Sequence, residues 1–108
     1  MATEWEILPD ELAAKRKAGE PLVLVDCREA NEWQFNRIEG AVHIPLMQIA
    51  QRANELDASR EIVVYCHSGN RSATAVHFLR QMGFSRVRNL LGGIDAWSIR
   101  IDPKVPRY

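Results

Sequence analysis

Cys66 ends an apolar run, Ile62 to Tyr65, and opens the loop Cys66-His67-Ser68-Gly69-Asn70-Arg71-Ser72, which leads into a segment with helical spacing. A thiol at such a junction faces the first turn of a helix, where N–H groups are unpaired and the dipole is positive. Gly69 lets the loop turn further N–H groups inward as a nest for an anion, and Arg71 adds a permanent cation. All three effects favour thiolate over thiol, so the pKa of Cys66 is expected below the free value of about 8.5. A cysteine placed only for packing belongs inside the strand or the helix, and the surrounding glycine, arginine and helix start argue against that reading here. The chemistry indicated is nucleophilic. Cys66 is the expected catalytic nucleophile with Arg71 as the cation beside it, and His67, Ser68, Gly69, Asn70 and Ser72 form the expected substrate-binding cradle.

The elements that must position this loop follow from the hydrophobic pattern. Glu4 to Leu8 reads as a short edge strand, and Pro9 and Asp10 open a helix to Lys17 that Gly19 closes. Pro21 to Asp26 and Glu61 to Cys66 are aliphatic runs of the kind found in strands covered on both faces. Glu29 to Phe35 reads as a short helix, and Gly40 to Pro45 as a short strand. Leu46 to Leu56 has helical spacing at Leu46, Ile49, Ala53 and Leu56. In the segment Ser72 to Met82, residues Ala75, Val76, Leu79 and Met82 share one helical face, with Gly83 as the stop. Arg86 to Gly93 reads as the last strand and its turn, and Ile94 to Trp97 begin a terminal helix. The predicted fold class is α/β: a small central parallel sheet flanked by helices on both faces. Such sheets bind ligands at the carboxyl ends of their strands, where Cys27 and Cys66 both fall.

Other candidate residues carry two readings each. Asp26 ends a strand and is expected to face the loop, either accepting hydrogen bonds from loop groups or Arg71, or capping a helix. Arg28 and Glu32, four apart, are expected to pair on a helix, with substrate binding as the alternative for Arg28. His67 follows the nucleophile and either touches substrate at the pocket mouth or lies idle. Cys27, next to Asp26, is expected to point to the opposite face and so away from the loop, its alternative being a second redox thiol. His43 and His77 have no assigned role, and Trp97 is expected to cover the core. No Cys/His cluster has metal-ligand spacing, so neither a metal nor a cofactor is expected.

Composition bounds the rest. Fourteen basic and fourteen acidic side chains cancel, and no basic stripe suggests nucleic acid. No apolar run approaches the roughly 20 residues of a membrane span, and the N-terminus lacks the basic and apolar regions of a secretory signal. A cytoplasmic location, a single domain over residues 1–108, two free thiols and a monomer or weak dimer are the expectations.

These residues resemble the active-site loop and signatures of the rhodanese, or sulfurtransferase, domain family over almost the whole chain. Val23 to Trp33, with Asp26, Arg28 and Glu32, is similar to the family's Asp-x-Arg motif followed by a carboxylate. Arg37 to Pro45 resembles its Gly-Ala-x-x-Ile-Pro motif, with Asn36-Arg37 where Gly-His is usual. Asn89 to Trp97 matches the closing Gly-Gly-x-x-x-Trp signature. Cysteine phosphatases on this fold place five residues between cysteine and arginine. Here there are four, the shorter ring that goes with sulfur transfer in the family. The resemblance implies a persulfide on Cys66, filled from thiosulfate or a protein persulfide and emptied to a thiophilic acceptor. Since His67 and Ser68 stand where two-domain thiosulfate sulfurtransferases carry cations, it implies that thiosulfate is a poor donor. The tail from Gly92 to Tyr108 resembles rhodanese domains fused to enzymes that activate sulfur carriers, which implies a cysteine desulfurase or a sulfur-carrier or activating protein as partner. The alternatives are a non-catalytic interaction module and a cysteine phosphatase or arsenate reductase.

Overall fold

A computed structural model describes residues 2–108. Five parallel strands form one sheet in the order β1-β5-β4-β2-β3, where β1 is Glu6–Ile7, β2 Leu22–Asp26, β3 Val42–His43, β4 Glu61–Tyr65 and β5 Val87–Leu90. The two aliphatic runs, β2 and β4, are neighbours in the middle, paired from Leu22 with Glu61 to Asp26 with Tyr65. Helices α1 (Pro9–Lys17), α2 (Ala30–Phe35), α3 (Ile49–Arg52), α4 (Asn70–Gln81) and α5 (Gly93–Arg100) complete the fold. The parallel sheet with flanking helices is the predicted class. No helix among the described residues is long and apolar enough to cross a membrane.

Period-two alternation divides the interior into two cores. Val25, Ile62, Val64 and Val87 pack with Ile49 of α3 and with Ala75, Val76 and Leu79 of α4. Leu24, Val63, Tyr65 and Leu90 pack on the other face with Leu12 of α1 and with Ile94 and Trp97 of α5. Trp97 covers that second core at 7% exposure.

Two helix expectations change in detail. Leu46 to Leu56 is not one helix but a 3₁₀ turn (Leu46–Gln48), α3, and a second 3₁₀ turn (Ala53–Glu55). Its start is tied down, with Leu46 N–H donating to the Cys27 carbonyl and Gln48 N–H to that of Pro45. Only Ile49 and Ala53 of its apolar residues are fully covered. Met82 is half exposed rather than part of the buried face of α4, because the helix has already ended there. Gly83, at φ +100°, takes the left-handed position of a Schellman stop. Gly83 N–H donates to Arg80 and Phe84 N–H to Leu79, which returns Phe84 to the core in Met82's place.

Asp26 does not face the Cys66 loop. It shares the face of Leu24 and Tyr65, fully buried, and its carboxylate is gripped by Arg28 through Nε at 3.0 Å and Nη2 at 2.7 Å. Arg28, also fully buried, therefore does not pair with Glu32. It reaches instead to the Asn36 side chain and carbonyl, each at 2.7 Å, and to the Tyr108 hydroxyl at 3.0 Å. Asn36 in turn donates to the Pro106 carbonyl. This buried pair ties the end of β2 to the chain after α2 and to the C-terminal tail. Both ions are removed from water, so taking away one leaves the other uncompensated. Asp26→Ala should cost about 3–5 kcal/mol in a urea or thermal unfolding measurement.

Candidate functional site

The sulfur of Cys66 lies just past β4, at the entrance to α4, and the residue is 1% exposed. Gly69 N–H donates to it at 3.1 Å and Ser72 N–H at 3.4 Å, while the Ser72 hydroxyl lies 3.3 Å away. The inward turn of Gly69 depends on its φ of +112°, a left-handed conformation that opens α4 and favours glycine. Asn89 of β5 braces the same turn. Its Nδ2 donates to the Gly69 carbonyl at 3.0 Å and its Oδ1 lies 2.5 Å from the Ser72 hydroxyl. The single hydroxyl proton is thus held between Asn89 and the sulfur.

The loop is fixed from behind by α5. Ile94 N–H donates to the Cys66 carbonyl at 2.9 Å and Asp95 N–H to that of His67 at 3.1 Å. These two bonds satisfy first-turn donors of α5 and, through the planar trans peptide, turn the N–H groups of His67 and Ser68 the opposite way. The approach requires glycine: a Cβ on Gly93, which sits at φ +61°, would overlap the carbonyl oxygens of Cys66 and His67.

Cys27 is the main correction. It points toward Cys66, not away, and the two pack in the same core. The alternation rule holds, but it is Asp26 that faces the far side. The neighbouring Cys27 thiol is the largest influence lowering the pKa of Cys66, ahead of opposing burial and the Ser72 and Gly69 bonds. The same contact, followed by burial, pushes Cys27 up. The two thiols form one coupled pair that loses its first proton easily, with the charge on Cys66.

Arg71 does not touch the sulfur. Its guanidinium forms a two-pronged pair with Glu32, at 2.7 and 2.9 Å. Glu32 also caps α2 through the Glu29 N–H and accepts from the Tyr108 hydroxyl at 2.5 Å. The Arg71 pair first, then the Tyr108 and Glu29 bonds, lower its pKa to about 2. His67 stands at the mouth, its ring centroid 4.1 Å from that of Tyr108, with Nδ1 buried and unpartnered among the described residues. Ser68 and Asn70 are exposed and do not reach the sulfur. Of the expected cradle, then, Gly69 and Ser72 meet Cys66. Sequence reasoning turned Cys27 the wrong way and missed Asn89 and Tyr108. Asn89, two residues from Val87 and so on the same strand face, was a usable signal, whereas nothing in the sequence placed Tyr108.

Comparison with known proteins gives consistent relatives. A model of the rhodanese-like domain matches residues 8–100. A sulfurtransferase of Allochromatium vinosum is 39% identical over 93 residues, which is 86% of this chain and 87% of that protein. YrkF of Bacillus subtilis, named as a candidate sulfur carrier, is also 39% identical over 93 residues, but the chain spans only 50% of it. Other relatives are longer still, so that the chain spans as little as 20% of one. The crystal structure of a rhodanese-related protein of Thermoplasma volcanium superposes with a TM-score of 0.82 at 31% identity, covering 95% of this chain and 98% of that one.

Two outcomes follow from this geometry. Cys27→Val removes the neighbouring thiol, so the midpoint of Cys66 alkylation against pH should rise from its depressed value toward about 8.5. Gly93→Ala should cost roughly 2 kcal/mol or more in thermal unfolding, since it combines backbone strain with a carbonyl overlap.

Proposed function

The chain belongs to the rhodanese-like domain family, and on that premise we propose that it is a sulfurtransferase carrying sulfane sulfur as a persulfide on Cys66. The observation that supports this best is the setting of a buried sulfur: two backbone N–H groups and a hydroxyl directed at it, with a second thiol packed in the same core. Fixed dipoles aimed at one atom favour negative charge there at no cost of reorganisation during reaction. Cys66 is then a thiolate at neutral pH and needs no base, which leaves His67 free to line the mouth.

The reaction has two steps. The Cys66 thiolate attacks the outer sulfur of a donor, the donor's sulfur bond breaks, and the remainder leaves with the electron pair, as sulfite if the donor is thiosulfate. The outer sulfur now bears the negative charge and is held by loop N–H groups between His67 and Ser72. A thiophilic acceptor, such as cyanide, a thiol or a partner's cysteine, then takes it and restores the thiolate.

Charge at the mouth favours a protein donor over thiosulfate. Arg71 is neutralised by Glu32 and Arg28 by Asp26, so neither guanidinium offers itself to a small dianion. Beside the loop, Leu46, Met47, Ile49, Ala50, Thr74, Ala75 and Phe78 line an apolar hollow of about 290 Å³, with Met47 85% exposed. That surface suits a cysteine desulfurase or a sulfur-carrier or activating protein. The same neutralised Arg71, with the four-residue spacing from Cys66, weighs against a phosphatase or arsenate reductase, since no guanidinium is left for an oxyanion.

Intact mass of the reduced protein, before and after a sulfane donor, tests the reading. Wild type should gain one sulfur, about 32 Da, and Cys66→Ser none. A persulfidated cysteine desulfurase should load the protein faster than thiosulfate. A folded protein that takes sulfur from neither donor would instead be a docking module of the same fold.

A further inference from the structure

Cys27 has a place in the site that packing does not explain. Val25 and Val64 fill the same face one pleat earlier without a sulfur. The β2–β4 ladder pairs Asp26 with Tyr65, and Cys27 N–H continues it by donating to the Tyr65 carbonyl at 3.0 Å. Cys27 and Cys66 therefore follow at the same level of neighbouring strands, with their side chains on the same face. Neighbouring strands run about 4.8 Å apart, inside the roughly 4.4–6.8 Å Cα separation that a disulfide spans. Both residues are 1% exposed and pack in the same core, so each sulfur has the other as its neighbour there.

Resting on the reading of Cys66 as a persulfide carrier, we propose that Cys27 is a resolving thiol that discharges a persulfide no acceptor has claimed. The Cys27 sulfur attacks the inner sulfur of the Cys66 persulfide. The bond between that sulfur and the outer one breaks as the Cys27–Cys66 disulfide forms, and the outer sulfur leaves with the Cys27 proton as hydrosulfide. Two electrons pass from the cysteine sulfurs to the sulfane sulfur, so no external oxidant is required. Hydrosulfide is a weaker base than an alkyl thiolate and leaves readily. A thiol reductant then reopens the disulfide and returns the chain to its loadable form.

The resting geometry keeps this step silent. While the charge sits on Cys66, that neighbouring charge and burial keep Cys27 protonated, so it is not a nucleophile. Loading moves the charge one sulfur outward and removes the partner that held the proton. The chain would thus be a carrier with a built-in discharge: it transfers sulfur when an acceptor is present and otherwise releases sulfide and locks itself.

The test loads reduced wild type, Cys27→Val and Cys27→Ser with inorganic polysulfide near pH 9, where Cys66 is ionised even at its free value. After rapid desalting, intact mass and free sulfide are followed in time. Wild type should pass from the loaded species to one about 2 Da lighter than the reduced chain, releasing one hydrosulfide per disulfide. Both variants should keep the added sulfur at least about tenfold longer and release none. Two substitutions of different polarity guard against a folding defect in either. If wild type holds its sulfur as long as the variants, or forms the disulfide without sulfide, the resolving role is overturned while the carrier reading stands. If no protein loads at all, both fall together.

Discussion

A sulfur anion held where water does not reach must be compensated from within the protein, and this requirement organises the structure around Cys66. Burying an ion without partners costs several kcal/mol. A hydrogen bond to a charged group returns about 1.5–3 kcal/mol, so the Gly69 and Ser72 N–H groups, helped by the Ser72 hydroxyl that Asn89 shares, offset that cost without any cation in contact. That matters because the nearby cations are occupied. Arg71 is held by Glu32, and Arg28 by Asp26 on the opposite side of the sheet. The charge on the sulfur is stabilised by dipoles whose directions the backbone fixes.

Those directions come from elements far apart in the chain. The end of β4 delivers Cys66, the first turn of α4 delivers the Gly69 and Ser72 donors, and β5 braces them through Asn89. The start of α5 then grips the Cys66 and His67 carbonyls from behind, at a distance only a glycine at position 93 permits. The buried Asp26–Arg28 pair performs the matching task on the other face, where it anchors Asn36 and the tail that brings Tyr108 over Glu32 and His67. Each face of the sheet thus has a polar centre at the carboxyl ends of the adjacent strands β2 and β4.

Much of this could be read from the residues alone. Aliphatic runs gave the two covered strands and the junction at Cys66, because period and length distinguish a covered strand from a helix. The loop glycine marked an inward turn and Gly92-Gly93 the turn after the last strand, and the structure puts all three in left-handed backbone. What stayed hidden depended on register and on contacts distant in sequence. Whether Asp26 or Cys27 faces the loop is set by the pairing of Val25 with Val64, and a slip of one residue would exchange them. Arg28 and Glu32 have ideal helical spacing, yet Arg28 lies before α2 begins and finds Asp26, leaving Glu32 for Arg71 from another helix. Tyr108 is 76 residues from the carboxylate it meets, and no local pattern announces such a contact.

The account stands on a Cys66 that is ionised at rest while Cys27 is not. Ultraviolet thiolate absorbance, titrated against pH in wild type and in Cys66→Ser, reads this directly. The account predicts one thiolate per wild-type chain already present at neutral pH, absent in Cys66→Ser. Thiolate that appears in wild type only near the free value of about 8.5, or that survives at neutral pH in Cys66→Ser, would contradict it.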